Sequence, residues 1–197
     1  MKIQIFETFN NSLEKEWKNI EREVSINPFQ SFDWLNLWYD EIGSKIFKVN
    51  PKIFLMKTDD QEKIILPLCI KKKNGFKILE WMGDINSDYM GFITSKNFNF
   101  KKIQFENFLK LIFNSIEKFD VLYLKNQLPQ INSYENPFYS HFKTIYKKKA
   151  YSSDLNENWE QFYKLHQNSK SRETTRRKLK KIKVHGKLNF NIADTDV

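Results

Sequence analysis

Three strand-length segments, at 52–57, 63–71 and 76–82, follow one another with only a few residues between them. The intervening stretches, Thr58-Asp59-Asp60-Gln61 and Lys73-Asn74-Gly75, are turn formers, and Asn-Gly is the strongest short hairpin signal. This run predicts an antiparallel meander, and any fold for the chain has to be assembled around it.

The flanking sequence supplies layers for that meander. Residues 2–7 alternate as a short strand. A helix is expected at 13–24, capped by Asn11-Ser12, with Leu13, Trp17, Ile20 and Val24 on one face. Asn27-Pro28 breaks the chain, and a second helix at 32–42 carries Trp34, Leu35, Trp38 and Tyr39, with Gly43 as its terminator. Residues 83–98 read as a polar loop holding a short strand at 89–94. The clearest helix is 101–118, where Phe105, Phe108, Leu109, Ile112 and Ile116 recur at spacings of three and four and must pack on a sheet. A strand at 120–126 follows, then an irregular connection at 129–137 and a further strand at 141–151.

The last quarter changes character. Helices are expected at 157–166 and 172–185, the second with Ser171 as N-cap and Gly186 as its stop, followed by a strand at 187–192. One α+β domain closes near residue 151, and the helix-helix-strand unit after it has no sheet of its own to complete. The net charge of +9 is also uneven. Residues 170–197 hold nine Lys and Arg against three Asp and Glu, so most of the excess sits there.

Composition excludes several classes. An apolar fraction of 40 %, with 18 Phe, 8 Tyr and 5 Trp, is ample for a core and argues against disorder. A single cysteine, Cys69, permits no internal disulfide and no thiolate metal cluster, and its place in an apolar strand points to inert packing. The N-terminus reaches an acid at Glu7 and lacks a signal-peptide core, and no run approaches the ~18 apolar residues of a membrane helix. A cytoplasmic location without a membrane span is the expectation. His141, His166 and His185 have no metal spacing, so no metal is expected.

The order of several motifs resembles a known family. Phe29-Gln30-Ser31-Phe32-Asp33-Trp34-Leu35 with Trp38 comes first, then Ile65-Leu66-Pro67-Leu68. Trp81-Met82-Gly83-Asp84 and Ser87-Asp88-Tyr89 follow, and Ser171-Arg172, Arg176-Arg177-Lys178-Leu179 and Gly186 complete the set. Together they resemble the cellulose-biosynthesis-type acyltransferases, relatives of the FemAB peptidyltransferases in the GNAT superfamily. The resemblance implies an α+β fold: a GNAT-like mixed, mostly antiparallel twisted sheet flanked by helices at 1–151. The start of a second, truncated GNAT domain at 152–197 would follow. It implies an N- or O-acyltransferase with acyl-CoA or acyl-tRNA as donor. The acceptor would be an amine or hydroxyl on a small molecule, polysaccharide or peptide, in cell-envelope or polysaccharide metabolism. The family cradles the donor pyrophosphate with a glycine-rich turn at a helix N-terminus. Gly43, Gly75, Gly83, Gly91 and Gly186 stand too far apart to form one, so the chain alone is expected to be inactive.

Candidate substrate-binding residues fall in two places. Asp88 would orient an acceptor hydroxyl or amine, and Tyr89 would hydrogen-bond it or protonate a leaving thiolate; an Asx-type turn with a half-buried tyrosine is the structural alternative. Arg172, Arg176 and Arg177 are three of only four arginines in a lysine-rich chain, and a planar guanidinium suits phosphate or carboxylate. They make helix 172–185 either an anion-contacting element or a solvated face packing on Leu179 and Ile182. A different class of function is a non-catalytic anion- or nucleic-acid-binding module acting through that helix. The absence of aromatics between 170 and 187 argues against a nucleic-acid partner.

Overall fold

A computed structural model describes residues 2–100, 104–131, 134–147, 149 and 158–189. The chain divides into two compact units, Met1–Ile145 and Tyr146–Val197. The first is a mixed α+β unit built on an open, mostly antiparallel sheet of six strands, in the order β1-β2-β3-β4-β6 with β5 beside β3. These strands are β1 (Lys2–Phe6), β2 (Asn50–Lys57), β3 (Lys63–Lys73), β4 (Phe76–Trp81), β5 (Ile93–Thr94) and β6 (Val121–Tyr123). The β3–β4 hairpin turns through Asn74 and Gly75 at φ 51° and 85°, the paired left-handed residues that an Asn-Gly turn supplies.

Both faces of the sheet are buried, which explains why its central strands read as near-continuous apolar runs. Alternate residues Ile53, Leu55, Ile65 and Cys69 share one cluster with Leu13, Trp17 and Ile20 of α1 (Asn11–Glu23). Phe32, Leu35 and Trp38 of α2 (Phe32–Trp38) belong to the same cluster. On the other face Phe54, Met56, Leu66, Leu68 and Trp81 pack with Phe108, Leu109 and Ile112 of α3 (Phe105–Asn114). Helix α3 links β4 to β6, and these two strands pair in parallel with Leu79 opposite Leu122. All the other pairings in the sheet, among the described residues, are antiparallel.

Pro67 lies in the middle of β3, a position normally closed to proline. The neighbouring strand changes there: β5 runs beside Ile64 and Ile65, while β4 lies beside Leu68–Lys73, its last residue Trp81 opposite Leu68. The Pro67 carbonyl accepts from Met82 N at 2.8 Å, and a strand residue's N–H points to the same side as its carbonyl. The missing donor therefore faces the junction between β4 and β5, where no regular ladder is interrupted.

Several sequence expectations need correction. Residues 39–47 continue α2 as a π-helix, Tyr39–Phe47, and the left-handed terminator is Lys48 at φ 51°, not Gly43. A Cβ on Gly43 would stand 2.8 Å from the Trp38 ring, so that glycine serves packing. Helix α3 ends at Asn114, short of 118; residues 101–103 lie outside the described residues. The connection at 129–137 contains a small two-stranded sheet, β7 (Gln130–Ile131) with β8 (Tyr134–Glu135).

In place of a strand from 141, helix α4 (Pro137–His141) runs into residues 142–147, which carry no regular structure. Pro137 opens α4, capped by the buried Asn136, whose side chain accepts from Phe138 N at 3.0 Å. Ile145 and Tyr146 are exposed. Residues 148, 150 and 151 of that expected strand lie outside the described residues.

The second unit holds α5 (Trp159–His166) and α6 (Ser169–His185). Asn168, not Ser171, caps α6, accepting from Ser171 N at 2.8 Å. Gly186 does follow the last helical residue, in an extended conformation. Residues 187–189 form no strand, and 190–192 lie outside the described residues. No residue between 158 and 189 is fully buried. Among the described residues no helix is long and apolar enough to cross a membrane.

Candidate functional site

The sheet's parallel pair sets the geometry. In open sheets ligands bind outside the carboxyl ends of parallel strands, where the outgoing loops leave room. At the carboxyl end of β4 the chain turns sharply through Gly83 at φ 109° and Asp84 at φ 43°. It makes one 3-10 turn at Asp84–Asn86 and passes the end of β6, where Asn126 also takes a positive φ of 54°.

Tryptophans and asparagines from distant segments hold this loop. Trp34 Nε1 donates to Ser87 Oγ at 3.0 Å, and Trp38 Nε1 donates to Asn86 Oδ1 at 3.3 Å. Asn126 Nδ2 donates to the Ser87 carbonyl at 2.8 Å, and Met90 N returns to the Asn126 carbonyl at 2.9 Å. Gln30 Nε2 ties down the Phe92 carbonyl at 3.1 Å, while its own carbonyl accepts from Trp17 Nε1. The Ser87 side chain lies where a Cβ on Gly83 would fall, 2.2 Å from its Oγ, so only glycine fits there.

Under the loop four charges alternate. One Asp84 oxygen is ion-paired to Lys71 from β3 and the other to Lys125 from just beyond β6. Glu80 of β4 completes the ring, 3.9 Å from Lys71 and 3.6 Å from Lys125. Both carboxylates are buried; Lys71 also sits 4.0 Å from the centre of the Phe47 ring. Burial works to raise the Asp84 carboxyl, but the Lys125 and Lys71 ammoniums override it and hold the group below the usual aspartate range. Glu80 goes the other way: burial pushes it up, aided by the Asp84 charge, and the more distant lysines do not compensate. Two carboxylates with affinities moved apart form a pair in which one stays ionised and the other accepts a proton more readily. Cys69 lies opposite Glu80 on the neighbouring strand, and burial raises its thiol well above the normal range.

Of the residues singled out from sequence, Asp88 and Tyr89 lie on the rim of this loop. Asp88 is exposed and Tyr89 half-buried, and neither side chain is hydrogen-bonded to a described residue. Arg172, Arg176 and Arg177 belong to the second unit. Arg172 is engaged structurally: its Nη1 donates to the carbonyls of Lys164 at 3.0 Å and Gln167 at 2.6 Å, closing the end of α5. Arg176 and Arg177 are exposed.

Sequence reasoning missed Lys71, Glu80 and Lys125 altogether and took Asp84 only as part of a motif. A usable signal existed for Glu80, an acid enclosed by Ile78-Leu79 and Trp81-Met82 in an apolar strand. Among the described residues no three His, Cys, Asp or Glu side chains are grouped to hold a metal ion. A shallow groove of about 450 Å³ beside Ile20, Glu62 and Lys63 includes none of the loop residues. The chain matches no protein-family model, no curated protein and no solved structure.

Proposed function

We propose that this chain is an acyltransferase module of the GNAT type, akin to the cellulose-biosynthesis-type enzymes, and that the loop at 83–89 receives the acyl acceptor. One observation carries the reading. Of the segments that bear the resemblance, those between residues 29 and 89 are scattered in sequence, yet Gln30, Trp34, Trp38, Pro67 and Met82–Ser87 meet around one loop; the motifs at 171–186 belong to the second unit. A mixed sheet that is mostly antiparallel and flanked by helices also agrees with such a fold.

In this chemistry an amine or hydroxyl attacks the donor's acyl carbonyl. A C–N or C–O bond forms, the bond to the leaving group breaks, and the acceptor's proton passes to a base. Asp88 and Tyr89 are the uncommitted polar groups on the loop, suited to orienting an acceptor, and Glu80 is the nearby carboxyl whose proton affinity is raised. The described residues do not suit the donor, because no glycine-rich turn opens a helix among them. We therefore assign this domain the acceptor side alone.

The indole N–H groups of Trp34 and Trp38 report on the loop directly. Titration with amino sugars, oligosaccharides and short peptides, followed by NMR, is expected to shift these two signals saturably for one acceptor class. Asp88→Asn and Tyr89→Phe are expected to weaken that response while leaving the Trp17 signal in place. Failure of every class to move them, or saturable acyl-CoA turnover by this chain alone, would contradict the assignment.

A further inference from the structure

We infer that the second unit is a binding platform for single-stranded RNA, formed by an aromatic stack on α5 and the basic helix α6. This inference is independent of the acceptor site. Between Ser169 and His185, α6 carries eight Lys and Arg residues against one acid, Glu173. None of its residues is buried, so these cations are not committed to a core. A phosphate chain is the partner whose charge complements such a helix.

The second observation is the preceding helix. Trp159 stacks on Phe162 and on Tyr163, with ring centres 5.9 and 5.5 Å apart and planes within 25° and 26°. Phe162 in turn stacks on His166 at 4.2 Å. These rings form a continuous ladder along one side of α5, and Trp159 at its end is 65 % exposed. An aromatic plane at the end of a stack, open to solvent, is a surface on which an unpaired base can lie.

The two helices are held together by Arg172, whose guanidinium donates to the carbonyls of Lys164 and Gln167 across the short connection. Aromatics sought inside 170–187 are absent there and stand on the helix joined to it. An anionic membrane surface is the poorer match. Such helices bury a broad apolar face, and α6 offers only Leu179, Ile182 and Val184. A duplex is a poorer match too, since its bases are already stacked and present no free plane to Trp159.

Fluorescence polarisation of the full chain with a labelled 20-nucleotide oligo-U tests this. Affinity is expected to fall with salt, with a log–log slope of about −3 for four or five neutralised phosphates. Arg176→Glu with Arg177→Glu is expected to reduce the slope by about 1.4, and Trp159→Ala to weaken binding about tenfold, with Trp159→Phe restoring most of it. Because Trp159 belongs to no buried cluster, these variants leave the first unit's fold intact, checked by its melting transition. The inference is overturned if Trp159→Ala binds like the parent, or if a duplex of equal length binds as tightly. It is equally overturned if phosphatidylserine vesicles capture the chain and the RNA does not, or if no salt-dependent binding is seen.

Discussion

The indole of Trp34 donates to the hydroxyl of Ser87 at 3.0 Å, joining residues 53 positions apart in sequence. Ser87 is buried, so its hydroxyl depends on partners inside the protein, and the bond fixes the loop against α2. Trp34→Phe keeps an aromatic ring beside Phe29 and removes only the donor. It is expected to cost about 1 kcal/mol by urea unfolding. In a cycle with Ser87→Ala the two losses should be less than additive, with a coupling of about 0.5 kcal/mol or more.

Gly83 and Gly75 both hold positive φ, at 109° and 85°, but only Gly83 is crowded. Gly75→Ala meets open space and is expected to cost about 1 kcal/mol in backbone strain alone. Gly83→Ala adds the collision with Ser87 and should cost roughly 2–4 kcal/mol. Midpoints of chemical denaturation separate the two, and equal losses would mean that the loop relaxes freely.

The buried charges give opposite pH signatures. Asp84 is held below its ordinary value, so the stability it contributes is complete above the unfolded aspartate value and is lost as pH falls through the depressed native one. Asp84→Asn leaves two ammoniums facing Glu80 alone and should cost about 3–5 kcal/mol at neutral pH, less in acid. Glu80 has the reverse sign. Its native carboxyl binds a proton more tightly than the unfolded one, so stability declines as pH rises from the ordinary glutamate value through the raised one. Glu80→Gln should therefore compare better with the parent at pH 7 than at pH 4. Thermal melts across that range give both slopes.

Cys69 is 1 % exposed, and burial with the neighbouring Glu80 and Asp84 charges disfavours its thiolate. An aromatic disulfide reagent should leave it untouched in the native protein and modify it only as fast as the sheet opens. Rapid labelling without loss of structure would place a reactive thiol where the fold puts a packing group.

Helix α6 should be among the first described elements to open. Its apolar residues Leu179, Ile182 and Val184 are 40 %, 49 % and 83 % exposed, so little burial offsets ordering its 17 residues. At about 1 kcal/mol or more per ordered residue, hydrogen bonding and propensity leave an isolated helix of this length marginal. In hydrogen exchange read by mass spectrometry, amides at 172–185 should exchange well before those at 64–70 and 105–114. Equal protection would show that α6 is covered by something not visible in its own unit.

Periodicity and turn chemistry act over a few residues, and they determined what could be read locally. The strands expected at 52–57 and 63–71, the Asn74-Gly75 turn and the three-four spacing of Phe105, Phe108, Leu109 and Ile112 are all present as expected. Tertiary packing decided the rest. Gly43 became a resting place for the Trp38 ring instead of a helix stop, because a neighbouring aromatic filled the space beside it. Residues 142–147, expected to belong to a strand, carry no regular structure, because strand formation depends on a pairing partner that local sequence does not supply. Lys71, Glu80, Asp84 and Lys125 lie up to 54 positions apart, and only the β3–β4–β6 arrangement brings their charges within ion-pair distance. Charge interaction depends on separation in space and on burial, and the order of residues along a chain specifies neither until the sheet has formed.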